Sequence, residues 1–534
     1  MRAITTIGAL TLLLAVPTLP EGSPPAFGGQ AAPSNTSWEK WWELNRWSYL
    51  GVTPTGGGDL SSREEQAAAR TKLTKWLIER LSHEHAGIRS AAALALGKAG
   101  DKTASEALVK RIGDENRDVR ESAVLALGLL KDPAIIPTLV REVFENPKFE
   151  NEPRLHAAAA IALGFIGDKS ATPVIVKELR RAKDDETQYG CIAGLGLLQD
   201  ESGVEPLFTI LGNQDLDKFL RAHAASALGK CGIKEFKPTG SDKPRSVVDE
   251  LVKRLLSDTE VEVRQSAVLA LGALGAEDQF QTVCNATEDK NRVVRNFAIV
   301  TLPRLTKGEK PRGIALKRLT DLLGGRNHEA RGFAAVALGR LGEPSAAGAL
   351  RKAFASESDP SIRAACAVGL GLLKDKDSIP MLEGVIGASS DVRLRGHCCV
   401  AVGLLGVPAG AKQLKSVVKN TTPADLLVAA AVALASLGDR DAIPMLLEAL
   451  KGDSSGSSRQ STVRALACFR DTGIARAMQE IYDDAQTGDD IRAIVVACLG
   501  CVVDRFPRPL FQQLAIDFNY GLPGEMTGQV LKLF

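Results

Sequence analysis

Ten arginines stand at one recurring position of this 534-residue chain: Arg89, Arg120, Arg221, Arg264, Arg295, Arg331, Arg363, Arg395, Arg459 and Arg492. A regular row of guanidiniums would suit a protein that follows a phosphate backbone. The same row serves structure if each fork holds an acid or a carbonyl of a neighbouring loop, and Asp118, Glu262, Asp359, Asp391 and Asp490 stand close upstream of their arginines. Net charge decides between the two. Lys+Arg 66 against Asp+Glu 64 leaves +2, so no overall field recruits nucleic acid, and the arginines are assigned to structure.

The other reactive side chains converge nowhere in the sequence. Among six histidines only His83-Glu84-His85 forms a local cluster, and it lacks the i, i+4 helical spacing and the third ligand that a metal needs. Of nine cysteines, Cys191, Cys366 and Cys398 lie three residues after the arginine position, Cys498 six and Cys231 ten, where other copies carry Ala or an apolar residue. They are read as small buried hydrophobes, with no redox or metal pair among them. Gly452-Asp453-Ser454-Ser455-Gly456 matches the nucleophile-elbow pattern, but that chemistry needs a strand, a strained turn and a helix, and this stretch is a Ser/Gly-rich linker. No phosphate-cradling GxxxxGK[ST] loop occurs. The expectation is therefore no catalytic residue, no cofactor-binding residue and no metal ligand.

The elements that carry these positions are declared by self-similarity. In Arg120 to Gly128 (RESAVLALG) an Ala follows the Arg by three, a small residue by six, Leu by seven and Gly by eight. The Gly-equivalent positions are Gly97, Gly128, Gly164, Gly196, Gly229, Gly272, Pro303, Gly339, Gly371, Gly403, Ala435, Ala467 and Gly500, thirteen copies spaced mostly by 31 to 33 residues. Apolar and small residues at i, i+3, i+4 and i+7 lay one stripe along a helix, and the small ones let helices approach closely. Gly at the eleventh position, as in Gly100 or Gly232, suits a left-handed cap. An acid then starts the next helix, and Pro137, Pro173, Pro206, Pro380 or Pro444 falls in its first turn. Each copy is a helix pair whose stripe is buried only by stacking on its neighbours. At ~10 Å per helix, thirteen layers would extend on the order of 100 Å.

Asp118 to Pro137 (DVRESAVLALGLLKDPAIIP) resembles a HEAT repeat of the short, phycobilisome-lyase-like type, and the resemblance covers residues 65–504. It implies an all-α, right-handed α-solenoid (superhelix) of about 13 HEAT-like helix pairs, with the Val-Arg helices on the concave side. Deoxyhypusine hydroxylase, which resembles this chain in architecture, holds two irons through His-Glu pairs directly after the repeat arginine. Here those slots read Ser90-Ala91, Glu121-Ser122, Ala157-Ala158, Gln265-Ser266 and Ala364-Ala365, while His83-Glu84 and His328-Glu329 lie upstream of the arginines. Iron hydroxylation is disfavoured. Phycobilin lyases share the repeat, but no chromophore-handling motif is recognisable.

The departures from the repeat are the places to look for a partner. Trp38, Trp41, Trp42 and Trp47 are four of five tryptophans, and the first three fall on one helical face behind a capping box of Thr36 with Glu39. The run W..WW..N resembles one near the mature N-terminus of exported bacterial HEAT-repeat proteins of unknown function. It reads either as a cap on the open end of the first repeat or as a partner-binding aromatic surface. A 43-residue spacing holds residues 234–246, where Lys237, Lys243 and Arg245 offer a basic loop. One and five residues after the arginine position Glu121, Tyr189, Gln265, Asn296, Gln460 and Arg464 stand among small residues, and Tyr189 joins the partner-binding candidates.

Arg2, the apolar run Ile7 to Val16 and the breaks at Pro17 and Pro20 read as an export signal over residues 1–28, with retention as an anchor the alternative. Then follow a linker and Trp-rich capping helix (29–60), the solenoid (61–504) and a C-terminal cap (505–534) carrying Phe511, Phe518, Tyr520 and Phe534. No later apolar segment is long enough to span a membrane once the signal is removed. The sequence supports a non-catalytic scaffold, periplasmic or extracellular, whose concave face meets an extended protein partner. Competing readings are an enzyme of the lyase or metal-dependent hydroxylase type and a polyanion or nucleic-acid binder.

Overall fold

The computed structural model describes residues 37–46, 49, 63–421, 423–452, 456–469 and 471–504. The expected signal (1–28), the expected C-terminal cap (505–534), Trp47 and residues 453–455 lie outside the described residues.

Two layers of helices alternate along the chain. The first layer is α3 (Ala86–Ala99), α5 (Arg117–Leu129), α7 (Pro153–Ile166), α9 (Asp185–Leu198), α11 (Lys218–Cys231), α13 (Val261–Ala273), α15 (Arg292–Thr301), α17 (His328–Leu341), α19 (Pro360–Leu373), α21 (Val392–Leu405), α23 (Ala424–Ser436), α25 (Gly456–Ala467) and α27 (Asp489–Val503). The second is α2 (Arg63–Arg80), α4 (Ser105–Arg111), α6 (Ile136–Leu139), α8 (Thr172–Arg181), α10 (Val204–Gly212), α12 (Val247–Ser257), α14 (Phe280–Ala286), α16 (Glu309–Leu323), α18 (Ala347–Ser356), α20 (Ile379–Ala388), α22 (Ala411–Asn420), α24 (Ala442–Gly452) and α26 (Ala475–Asp483). Each even helix packs on the odd helix that follows it, α6 through its continuation Val140–Phe144, giving thirteen pairs. The fold is an all-α solenoid. Left-handed caps end the odd helices at Gly100 (φ 68°) and Gly232 (φ 73°), and acids such as Asp101, Asp132 and Asp168 cap the turn that begins each return.

The odd helices approach to backbone contact because their facing positions are Gly and Ala. A Cβ built on Gly97 would lie 2.7 Å from Ala126 Cα, and one on Gly128 would lie 2.5 Å from Ala162 Cα. In each case the Gly meets the residue two places before the equivalent position of the next copy. Gly500 belongs to the last copy, and it obeys the same rule with the first: its Cβ would lie 2.8 Å from the Cα of Ala95, two places before Gly97. α27 packs along α3 as any odd helix packs along its neighbour.

The array therefore closes into a ring, and the expectation of an elongated body with two open ends is corrected. The even layer joins too: Trp76 of α2 meets Tyr482 of α26 edge-on at 4.9 Å, and the Arg80 guanidinium lies 3.8 Å over the Trp76 ring and 5.1 Å from the Tyr482 ring. The physical reason is that every copy ends in a face complementary to the start of every other, so the first and last faces cover each other once curvature brings them together. The more closely spaced odd helices line the inner circumference. The face of α27 that residues 505–534 were expected to seal is occupied by α3.

Candidate partner-binding surfaces

Helix α1 (Trp38–Asn45) starts at Ser37, whose hydroxyl accepts from Lys40 N, so Ser37 rather than the Thr36 capping box makes its N-cap. It does not cap the first repeat. It lies against α17 and α19, in the eighth and ninth pairs, on the far side of the ring from α2. Trp38, Trp41 and Trp42 are 4%, 1% and 1% exposed, so they form no exposed aromatic surface either. Both sequence readings of this run are corrected: with no open end to cover, the apolar face of α1 is buried on the ring's inner wall.

The geometry of that contact is specific. Trp38 Nε1 donates to Ser361 Oγ at 2.9 Å, and the Ser361 hydroxyl donates in turn to Glu39. The Trp38 ring lies 5.3 Å from the His397 ring and fills the space above Gly332, where a Cβ would come within 2.5 Å of Trp38 Cδ1. The Arg340 guanidinium sits 5.1 Å over Trp41 and 5.8 Å from Tyr49, which itself stacks on Trp42. Asn45 Nδ2 donates back to Trp41 O at 2.8 Å. Gly332, Ser361, Arg340 and His397 were not found from the sequence. One signal could have pointed to Gly332: in the slot after the repeat arginine Gly332 and Gly396 are the two glycines, whereas the other copies range from Ala157, Ala222, Ala364 and Ala493 to Glu121, Tyr189, Gln265 and Asn296.

The opposite wall carries Tyr189, half-buried on α9, with its ring 4.5 Å from His223 of α11. His223 and His397 share one register position, two after the arginine, and each is covered by an aromatic ring. Burial lowers the pKa of both, that of His223 to about 4, and raises that of Tyr189 to about 12. The His223 shift fixes a sign. Its folded value lies below the ordinary 6.5, so the unfolded chain binds a proton between pH 6.5 and 4 that the folded chain refuses. Stability present above pH 6.5 is lost as pH falls toward 4, on the order of 3 kcal/mol. His223→Leu is expected to flatten the fall in unfolding free energy across that window; denaturant melts of both proteins at several pH values check it, and identical slopes would contradict it.

The arginines are held where each even helix turns into the odd helix that follows it. Arg89 forks onto Asp114 at 2.8 and 3.1 Å while donating to His83 O and Glu84 O. Arg120 grips both oxygens of Glu152, Arg264 binds Asp289, Arg331 binds Glu357, and Arg459 reaches Asp484 at 3.1 Å. Arg221 binds Asp258; Arg295 donates to the loop carbonyl of Asp289, and Arg363, Arg395 and Arg492 to the last-turn carbonyls of Phe354 in α18, Ile386 in α20 and Tyr482 in α26. The acids proposed from the sequence are mostly not the partners. Asp359 and Asp391 cap α19 and α21, Glu262 pairs with Lys218, and Asp118 lies 3.5 Å from Arg154. The partner acids stand in the loop of the next copy, because an arginine at the start of an inner helix points along the stack rather than back along its own helix.

Eight of the nine cysteines are buried and free, and burial pushes the Cys191, Cys366, Cys398 and Cys498 thiols up. One pair escaped the register reading: Cys498-Leu499-Gly500-Cys501 spells CxxC. It lies mid-helix at the ring's seam, with Cys501 half-buried 3.8 Å from Lys98 Nζ. A buried thiol raised in this way is a poor nucleophile. A maleimide probe on the native protein is expected to label Cys501 well before the other eight; equal labelling of all nine would show that the inner helices are not packed as described.

The insertion at 234–246 forms a hairpin, β1 (Glu235–Phe236) antiparallel to β2 (Arg245–Ser246). Phe236 packs 5.1 Å from Phe208 of α10, so the hairpin sits on the even layer. Lys237, Lys243 and Arg245 are exposed there, with Lys237 3.4 Å from Asp242 and Arg245 5.7 Å from the Phe208 ring. They are on the opposite side of the wall from α1 and share no site with the tryptophans. His83 and Glu84 line a loop-side cleft of about 520 Å³ with Arg89, Lys110, Arg111 and Asp114. His328 pairs with Asp359 at 2.7 Å and Glu329 with Arg292 at 2.6 Å. Among the described residues no three His, Cys, Asp or Glu side chains group as metal ligands, and no helix is long and apolar enough to cross a membrane.

Family models for HEAT repeats match residues 74–148, 106–177, 248–324, 316–403 and 349–435, and one for the PBS lyase HEAT-like repeat matches 426–452. No curated protein matches the chain in sequence. Among solved structures, Kap121p is 15% identical, with 83% of this chain and 58% of Kap121p covered and a TM-score of 0.40. Kap95p, in a structure with RanGDP, is 11% identical over 82% of this chain and 67% of its own, with a TM-score of 0.38. Human deoxyhypusine hydroxylase is 19% identical over 50% of this chain and 96% of its own, with a TM-score of 0.23. The chain spans just over half of Kap121p, and these likenesses concern the fold alone. With family models matching more than half of its length, this chain belongs to the HEAT-repeat family.

Proposed function

We propose that this protein is a non-catalytic scaffold that binds a protein partner on the inner face of its ring. One observation carries the reading: that face already holds a protein segment, α1, through three buried tryptophans, the Ser361 hydroxyl between Trp38 and Glu39, and a cation–π contact. The chemistry around it is consistent with binding rather than turnover. The repeat arginines are engaged by loop acids and carbonyls, and the thiols lie in the core. Ring closure alters the partner the concave face can take, since a closed wall favours a short segment over a long one laid along an open trough.

The signal-like residues 1–28 support export to the periplasm or the extracellular space. Crosslinking in native envelope extracts, followed by partner identification, is expected to return a protein whose crosslinks map to the odd helices. Crosslinks confined to the even layer would sink the inner-face reading. Stoichiometric iron or zinc on the purified protein would instead favour an enzyme, and binding to a polyanion that falls steeply with salt would favour the third class.

A further inference from the structure

Helix α1 is a weak element in a well-built place. Its eight residues are fewer than the roughly 12–15 at which an isolated helix becomes marginally stable, so its order comes from the wall it lies on. That wall is shaped for an aromatic helix. Gly332, Ala364 and Gly396 leave three successive slots small, and Gly332 and Gly396 are the two copies in which that slot holds glycine. Beyond them, the Ser361 hydroxyl, the Arg340 guanidinium and the His397 ring offer one contact each to an indole. At Gly332 the three atoms nearest to an added Cβ all belong to Trp38, so this glycine makes room for the tryptophan.

The fit is also incomplete. Trp41 is 1% exposed, and its indole Nε1 has no hydrogen-bond partner. A buried donor left unpaired weakens the hold of α1 on the wall, and release of the helix returns that donor to water.

We propose that the trough formed by α17, α19 and α21 is a receptor site for a Trp-x-x-Trp-Trp amphipathic helix of a partner protein, and that α1 is its resident occupant, displaced when that helix binds. This rests on the inner-face scaffold reading and names the partner's chemistry. Because α1 is tethered, an incoming helix competes with an effective concentration on the order of millimolar.

The test uses a fluorescein-labelled peptide of residues 36–49, titrated into the full-length protein. In the Trp38→Ala/Trp42→Ala variant, where α1 has lost two anchors, the peptide is expected to bind about tenfold or more tightly than in the wild type. Adding Gly332→Leu to that variant is expected to abolish binding. Hydrogen exchange on the wild type supplies a readout that needs no variant: excess peptide is expected to deprotect α1 while the odd helices keep their protection. Failure of the peptide to bind the double variant, or binding unaffected by Gly332→Leu, or α1 amides unmoved at saturating peptide, overturns the proposal. An inner-face crosslinked partner found alongside such a failure would leave the scaffold reading standing and remove only this one.

Discussion

Replacing Gly500 by leucine is expected to open the ring. A Cβ at this position comes within 2.8 Å of both Ala95 Cα and Ala95 Cβ, and backbone cannot give way as the end of a flexible side chain can. Overpacking of this kind costs about 1–3 kcal/mol and occasionally more. Elsewhere in the array the same clash would be resisted by a short covalent connection between neighbouring pairs. The seam has none, because its two faces belong to the first and last copies; among the described residues α3 with α27, the Trp76, Arg80 and Tyr482 contact and the Arg80–Asp483 ion pair hold it. Small-angle scattering should report a larger radius of gyration and maximum dimension for the variant. Gly348, on α18, has no atom within 4 Å of its built Cβ, so Gly348→Leu is the control that should leave the scattering unchanged. A Gly500→Leu protein with the wild-type scattering profile would mean that the ring is not closed by this contact.

The second large effect is expected at Asp258. Its carboxylate accepts from Arg221, from Arg254 at 3.3 Å and from the backbone N–H of Glu260 at 3.0 Å, and its side chain is 1% exposed. Arg254 keeps a second partner in Glu250 at 2.6 Å, but Arg221, 2% exposed, has its buried charge answered chiefly here. Asp258→Ala leaves that guanidinium uncompensated in the wall between α11 and α13, which costs about 3–5 kcal/mol. Denaturant unfolding, with hydrogen exchange to locate the loss at α11 and α13, measures it. A change under about 1 kcal/mol would show that water reaches Arg221 and that the pair is less buried than described.

Much of this fold can be read one copy at a time. The stripe of small and apolar residues specifies each inner helix, Gly100 and its equivalents specify where it stops, and Asp132 with Pro137 specifies how the return begins, all within about twenty residues of chain. The arginine partners were half legible: Asp114, Asp258, Asp289 and Glu357 each stand six residues before the next copy's arginine, a regularity hidden when each arginine is compared only with acids on its own helix. CxxC at Cys498 was passed over for a similar reason, since the register assigns each cysteine separately.

Less could be read of the candidate site. Trp38, Trp41 and Trp42 announce an apolar face that must be covered, and the sequence determines that much through the size and spacing of the rings. It also determined the helix pairs, their number and the stacking that buries them, because those depend on contacts between residues a turn or a copy apart. Only the tertiary structure decided that the stack closes and that α1 crosses to the eighth and ninth pairs. Closure is the sum of thirteen small rotations, none of which is encoded by any one residue, and the hydrogen bond from Trp38 to Ser361 joins residues 323 apart in the chain. At that distance the sequence can state that two surfaces are sticky, while curvature alone chooses which of them meet.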